Sequence, residues 1–157
     1  MTFARALCLT MIVQMIAGCI TSTEVAVRPT FSYYDRVAIW ANLSRSQEEL
    51  FIPLYMKAFP HHTLVDRRDI QLIVGREEMM PDQLDEATRE QIRRDLGVEA
   101  IVYPTSTDGQ FAVKVIDMID GAITASAVVS GKNYFTEENL SDKVLMRRLV
   151  DSLKNQS

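Results

Sequence analysis

Few side chains in this chain are of a type and spacing that could do chemistry. The only cysteines, Cys8 and Cys19, fall in an apolar N-terminus, where a bridge between them would staple nothing folded. The only histidines, His61 and His62, are adjacent. On a strand their side chains point to opposite faces, so one metal ion would not take both. No cysteine or acidic cluster is spaced to complete a metal site. Glu77-Glu78 and Asp82/Asp85 read either as paired carboxylates for acid–base work or as solvated helix faces, and the second is the expectation. Asp66-Arg67-Arg68 is the densest charged group. It reads as an ion-pair site facing a partner or another copy, or as a helix cap at Asp66 with Arg67 packed against a neighbouring acid. The chain has no Gly-rich phosphate loop, no G-x-S-x-G elbow and no H-E-x-x-H. No catalytic residue, metal or cofactor is expected, and a binding module is favoured over an enzyme.

Cys19 has a setting of its own. After Arg5 the run "ALCLTMIVQMIAG" (6–18) is almost wholly apolar. It falls short of the roughly 20 residues that span a bilayer and has the length of a signal-peptide core. Its end, Ile16-Ala17-Gly18-Cys19, resembles the lipobox of bacterial lipoproteins. That resemblance implies a diacylglyceryl group on the Cys19 sulfur, cleavage between Gly18 and Cys19, and acylation of the new amino group. Cys8 would leave with residues 1–18. Cleavage by an ordinary signal peptidase, guided by the small Ala17 and Cys19, and an uncleaved short anchor are the alternatives. Two or three acyl chains suffice for stable attachment. Ile20 follows where Asp would imply retention at the inner membrane, so the resemblance implies the outer membrane of a Gram-negative bacterium, with the domain facing the periplasm. Residues 20–32, mixed and Thr/Ser-bearing with Arg28-Pro29, read as a tether reaching at most about 45 Å.

Length and composition agree with one globular domain after that tether, over residues 33–157. The chain has 157 residues, 47% hydrophobic and 24% charged. The net charge is −4 with signs interspersed, which argues against a nucleic-acid partner. "YYDRVAIWAN" reads as a strand. Ser46 to Glu49 matches a capping box that opens a helix to about Phe59, kinked or divided at Pro53. "HHTLVD" (61–66) reads as a strand. Asp66 caps a helix over 67–79 with the stripe Ile70, Ile73, Val74, and a third helix covers 81–97 with Gly97 at its end. "VEAIVYPT" reads as a buried strand. "QFAVKVIDM" and "ITASAVVSG" form a hairpin around Asp120-Gly121. A last helix, about 136–154, supplies Leu145, Leu149 and Leu153. The order β-α-β-α-α-β-β-β-α predicts a single-domain α/β sandwich: a mixed sheet of about five strands with about four helices packed on it.

In that order the segments "RVAIWAN", "LVDRRDIQLIVGREE", "LGVEAIVYPT" and "FAVKVIDMIDGAITASA", spread over residues 36–130, resemble the CsgG-like outer-membrane lipoproteins. That family includes the curli-secretion channel protein, the LpoB activator of a penicillin-binding protein and FlgO-like lipoproteins. The resemblance implies a non-enzymatic interaction or assembly factor of the cell envelope, with an envelope protein as partner and self-association open. The other roles are activation of a penicillin-binding protein in peptidoglycan synthesis, or an envelope enzyme subunit. The segments leave no room for the long β insertions that build a pore, and the tether is far shorter than the one the activators use.

Overall fold

The computed structural model describes residues 19–75, 79–133 and 140–156. The expected signal peptide, with Cys8 and Gly18, and the pair Glu77-Glu78 lie outside these residues.

The first strand falls where a tether was expected. Strand β1 (Cys19–Val27) pairs antiparallel with β6 (Ile123–Asn133) along its whole length, from Cys19 opposite Asn133 to Val27 opposite Ala125. A short 3-10 turn, Pro29–Tyr33, follows and buries Phe31 completely. The physical reason is a period of two that the polar composition masks: Val25 and Val27 both turn onto the core, and β-branched residues suit a half-buried strand. Among the described residues the sheet therefore includes Cys19–Val27, ahead of residue 33.

Among the described residues the sheet has six strands in the order β1-β6-β5-β4-β2-β3. The remaining four are β2 (Arg36–Ile39), β3 (Thr63–Val65), β4 (Ala100–Thr107) and β5 (Gln110–Asp117). Pairs β1/β6, β6/β5 and β5/β4 are antiparallel, while β4/β2 and β2/β3 are parallel. β4 turns into β5 through Asp108-Gly109, both at positive φ (40° and 77°), the two-residue hairpin geometry. That turn was not anticipated. Gly121, expected in the next hairpin, has φ 72°.

Four α-helices pack on this sheet, as expected, with shifted boundaries. In α1 (Arg45–Ala58) the capping box is Ser44 with Gln47, not Ser46 with Glu49: Ser44 Oγ accepts from Gln47 N, and Gln47 Oε1 accepts from Ser44 N at 3.1 Å. Pro53 does not divide α1. It sits on the solvent side, where the carbonyl it leaves unpaired, that of Glu49, can turn to water. Helix α2 (Arg67–Val74) stops early, at the left-handed Gly75. The expected helix over 81–97 is a 3-10 turn, Pro81–Gln83, then α3 (Glu86–Leu96). Asp85 accepts from Thr88 N at 2.8 Å and restarts the helix, while Leu84 stays extended and buried. The last helix is α4 (Asp142–Lys154).

Helices α1 and α4 lie on one face over a core that includes Phe51, Tyr55, Val102, Val113, Ala127 and Leu149. They run side by side in the same direction, with Gln47 Nε2 donating to Asp142 Oδ2 at 3.0 Å where both begin. Helices α2 and α3 cover β2, β3 and β4 on the other face, over Trp40, Ile70, Ile92 and Ile101.

Candidate interaction surface

Strand β1 starts at Cys19 and delivers the chain to the opposite end of the sheet, where β5 ends and β6 begins. Three connections meet there: the segment from the Pro29–Tyr33 turn into β2, the α3–β4 connection, and the β5–β6 hairpin. A hydrogen-bonded cluster holds them. Tyr34 Oη donates to Asp117 Oδ2 at 2.6 Å and lies 3.4 Å from Thr124 Oγ1. The other carboxylate oxygen of Asp117 accepts from the backbone N–H of Ile119 at 2.6 Å and of Asp120 at 3.3 Å. Burial, followed by the bond to Asp117, pushes the Tyr34 phenol up to about 12, so it remains a neutral donor at neutral pH. Glu99 Oε2 accepts from the backbone N–H groups of Asp35 and Arg36, and Arg36 Nε donates to Leu96 O. These groups border a cavity of about 300 Å³ lined by Tyr34, Arg93, Glu99, Asp117 and Ile119. Its two carboxylates are engaged by backbone N–H groups and Tyr34, and Arg93 is paired with Glu90 at 2.8 Å. The polar groups act as a clasp.

Large apolar side chains stand around the clasp. Tyr33 is 78% exposed, Ile119 70% and Ile123 45%, far above the core. These exposed apolar side chains make this end of the sheet the candidate contact surface. Sequence reasoning missed it. Tyr34 and Asp117 are 83 positions apart, and only the sheet register brings them together.

The residues singled out in the sequence are placed elsewhere. Asp66 caps α2, accepting from Arg68 N at 2.8 Å, and Arg68 is exposed. Arg67 does not reach an acid among the described residues. Its Nη1 donates to Ala41 O at 3.0 Å, and its guanidinium lies 6.0 Å from the Trp40 ring centre. Asp82 and Asp85 are exposed, Asp85 as the α3 cap. The histidines precede β3 and are not on it, so their rings do not take opposite faces but lie 4.3 Å apart. His62 is 3% exposed, stacks on Phe59 and shares a 2.7 Å hydrogen bond between Nδ1 and Tyr55 Oη. Burial, with His61 adding, holds its pKa down to about 4. Cys19 is the first residue of β1.

The geometry defines a class: a single-domain α/β sandwich on a mixed six-stranded sheet. No protein-family model matches the sequence, and no curated protein does. Solved structures show the fold. Two structures of the PelC dodecamer from Paraburkholderia phytofirmans align with a TM-score of 0.51 at 11% and 10% identity, covering 86% of this chain and 99% and 98% of theirs. The lipoprotein GNA1162 from Neisseria meningitidis aligns with a TM-score of 0.45 and 14% identity over 78% of this chain and 95% of that chain. Among the described residues no helix is long and apolar enough to cross a membrane.

Proposed function

We propose that this chain is an outer-membrane lipoprotein, anchored through Cys19, whose periplasmic domain is a non-enzymatic interaction or assembly factor of the cell envelope. The observation that carries the reading is that Cys19, the residue expected to carry lipid, lies within β1 of the sheet. With lipid on that residue there is no slack between membrane and domain. Nine strand residues would set the Tyr33/Ile119/Ile123 surface roughly 30 Å from the anchor, facing away from it. A surface so placed serves partners at or passing through the outer membrane, other copies of the chain included. The dodecameric state of the PelC structures, which share the fold, lends support to self-association. An activator of penicillin-binding proteins would need its enzyme to project across the periplasm, and no observation favours that role. The test is Cys19→Ser. Lipid labelling should be lost and the protein released from outer-membrane fractions. Continued sedimentation with that membrane would overturn the reading. A photocrosslinker at Ile119 should then capture an envelope protein or a second copy, and one at Arg45, where α1 begins, should not.

A further inference from the structure

We infer that the part of the sheet left uncovered beside α2 and α3 packs against the same surface of a second copy, with the strands of both copies running the same way. The inference rests on the interaction reading and names one partner and its surface.

Helices α2 and α3 cover β2, β3 and β4, so their side of the sheet is a step: a helix layer over three strands, then open sheet over β5, β6 and β1. Strand register lays out the open part. One row runs Glu24, Val128, Ala112 across β1, β6 and β5, and the next runs Ala26, Ser126, Lys114. Glu24, Ala26 and Lys114 are exposed, and the other three are half-buried. The centre of this surface is short side chains, which lets a second sheet approach to the usual spacing of about 10 Å. A helix layer is also about 10 Å thick.

A second copy related by a two-fold axis along β6 therefore fits the step. Its β5, β6 and β1 fill the open part, and its helix layer comes down beside β1 of the first copy. The contact is isologous, so each copy covers the other in the same way. It also covers the outer edge of β1, which is nine residues long and has no neighbouring strand among the described residues. Natural sheets protect edges of that length. Met80, 38% exposed, stands at the border of the helix layer, where its sulfur accepts from Tyr103 Oη at 2.8 Å, and it would meet the incoming edge.

Two features select this axis. Glu24 and Lys114 form no ion pair among the described residues. An axis along the strands brings Glu24 of each copy over β5 of the other, the strand that carries Lys114. An axis across the strands would instead set each Glu24 over the other copy's β1, beside its like charge. Only the first axis also leaves both Cys19 residues at the same end, as two anchors in one membrane require. Sharing a membrane raises the effective concentration of copies, so a modest interface suffices.

The test follows the full chain in detergent by sedimentation equilibrium, where association needs no membrane. A monomer–dimer equilibrium is expected. Ala112→Arg stands a long cation under the partner's β1, and should leave the chain folded by circular dichroism but monomeric. Lys114→Glu should raise the dissociation constant roughly fivefold or more, and Glu24→Lys/Lys114→Glu should return it to the parent's range. In cells a photocrosslinker at Ala112 should join two copies, and one at Met56, exposed on α1 across the sheet, should not. The inference is overturned by a chain that stays monomeric, by a dimer that survives Ala112→Arg, by a double swap as weak as Lys114→Glu alone, or by capture of other envelope components only. Cys19→Ser releases the anchor without touching this surface, so the dimer in detergent and the anchor fail separately.

Discussion

The two faces of the sheet differ in what they bury and how far the burial extends. Under α1 and α4 the core is rich in rings, with Phe31, Phe51, Tyr55, Phe59 and Phe111 against Val and Ala side chains from β1 across to β2. Under α2 and α3 it is apolar with a single large ring system, that of Trp40, and past β4 it reaches only Met118 at the end of β5. Past β4 that face buries Ile116 and Thr124 near the β5–β6 hairpin, while Glu24, Ala26 and Lys114 are exposed and Ala112, Ser126 and Val128 half-buried. Aromatic rings bury large areas each, so the α1/α4 face should dominate stability.

The largest effects should come from emptying each core in turn. Leu149→Ala, under α4, should cost near the top of the roughly 2–5 kcal/mol range for such truncations. Leu84→Ala, between the 3-10 turn and α3, should cost nearer the bottom, because a short turn can collapse into the space. Equal midpoint shifts in urea would erase the distinction between the faces.

A pH titration should separate the faces as well. His62 lies on the aromatic side with a pKa held near 4 against an ordinary 6.5, so the folded chain binds the proton more weakly than the unfolded one. Stability should be intact above pH 6.5 and decline as pH falls toward 4, by at most about 3 kcal/mol. His62→Phe should flatten that slope in denaturation series at pH 7 and 4.5. An unchanged slope would place the acid sensitivity elsewhere.

Gly121→Val tests the hairpin that joins the two sides. Its φ of 72° disfavours a β-branched residue, and a Cβ would sit 2.9 Å from the Arg89 guanidinium. Moving Arg89 breaks its 2.6 Å bond to Leu84 O in the thinner core. A loss of about 1–3 kcal/mol is expected in thermal unfolding. The smallest effect is that of the α3 cap: Asp85→Ala should cost about 1 kcal/mol. A loss as large as that of Leu149→Ala would mean that α3 carries more of the stability than its core suggests.

Much of the local structure was legible in the residues. Asp66 as a cap, Gly97 and Gly121 at positive φ, and the stripe Ile70-Ile73-Val74 all follow from interactions within a few positions of each other. β1 escaped because only pairing with β6, about a hundred positions away, gives Val25 and Val27 a core to enter. Asp108-Gly109 carried a strong turn signal that went unused. The contact surface and the uncovered part of the sheet carried none, since both are assembled by register and helix packing.

The sequence by itself determined that four helices form, the Asp66 cap that starts α2, the Gly97 that ends α3, and which residues are apolar enough to form a core. Those outcomes depend on caps, side-chain periodicity and backbone preference, which act over a turn or two. Only the tertiary structure decided that Cys19 lies in a strand, that Tyr34 meets Asp117, and that Glu24 and Lys114 share one uncovered surface. Such pairings depend on strand order, and strand order is settled by how the whole sheet buries its two faces at once.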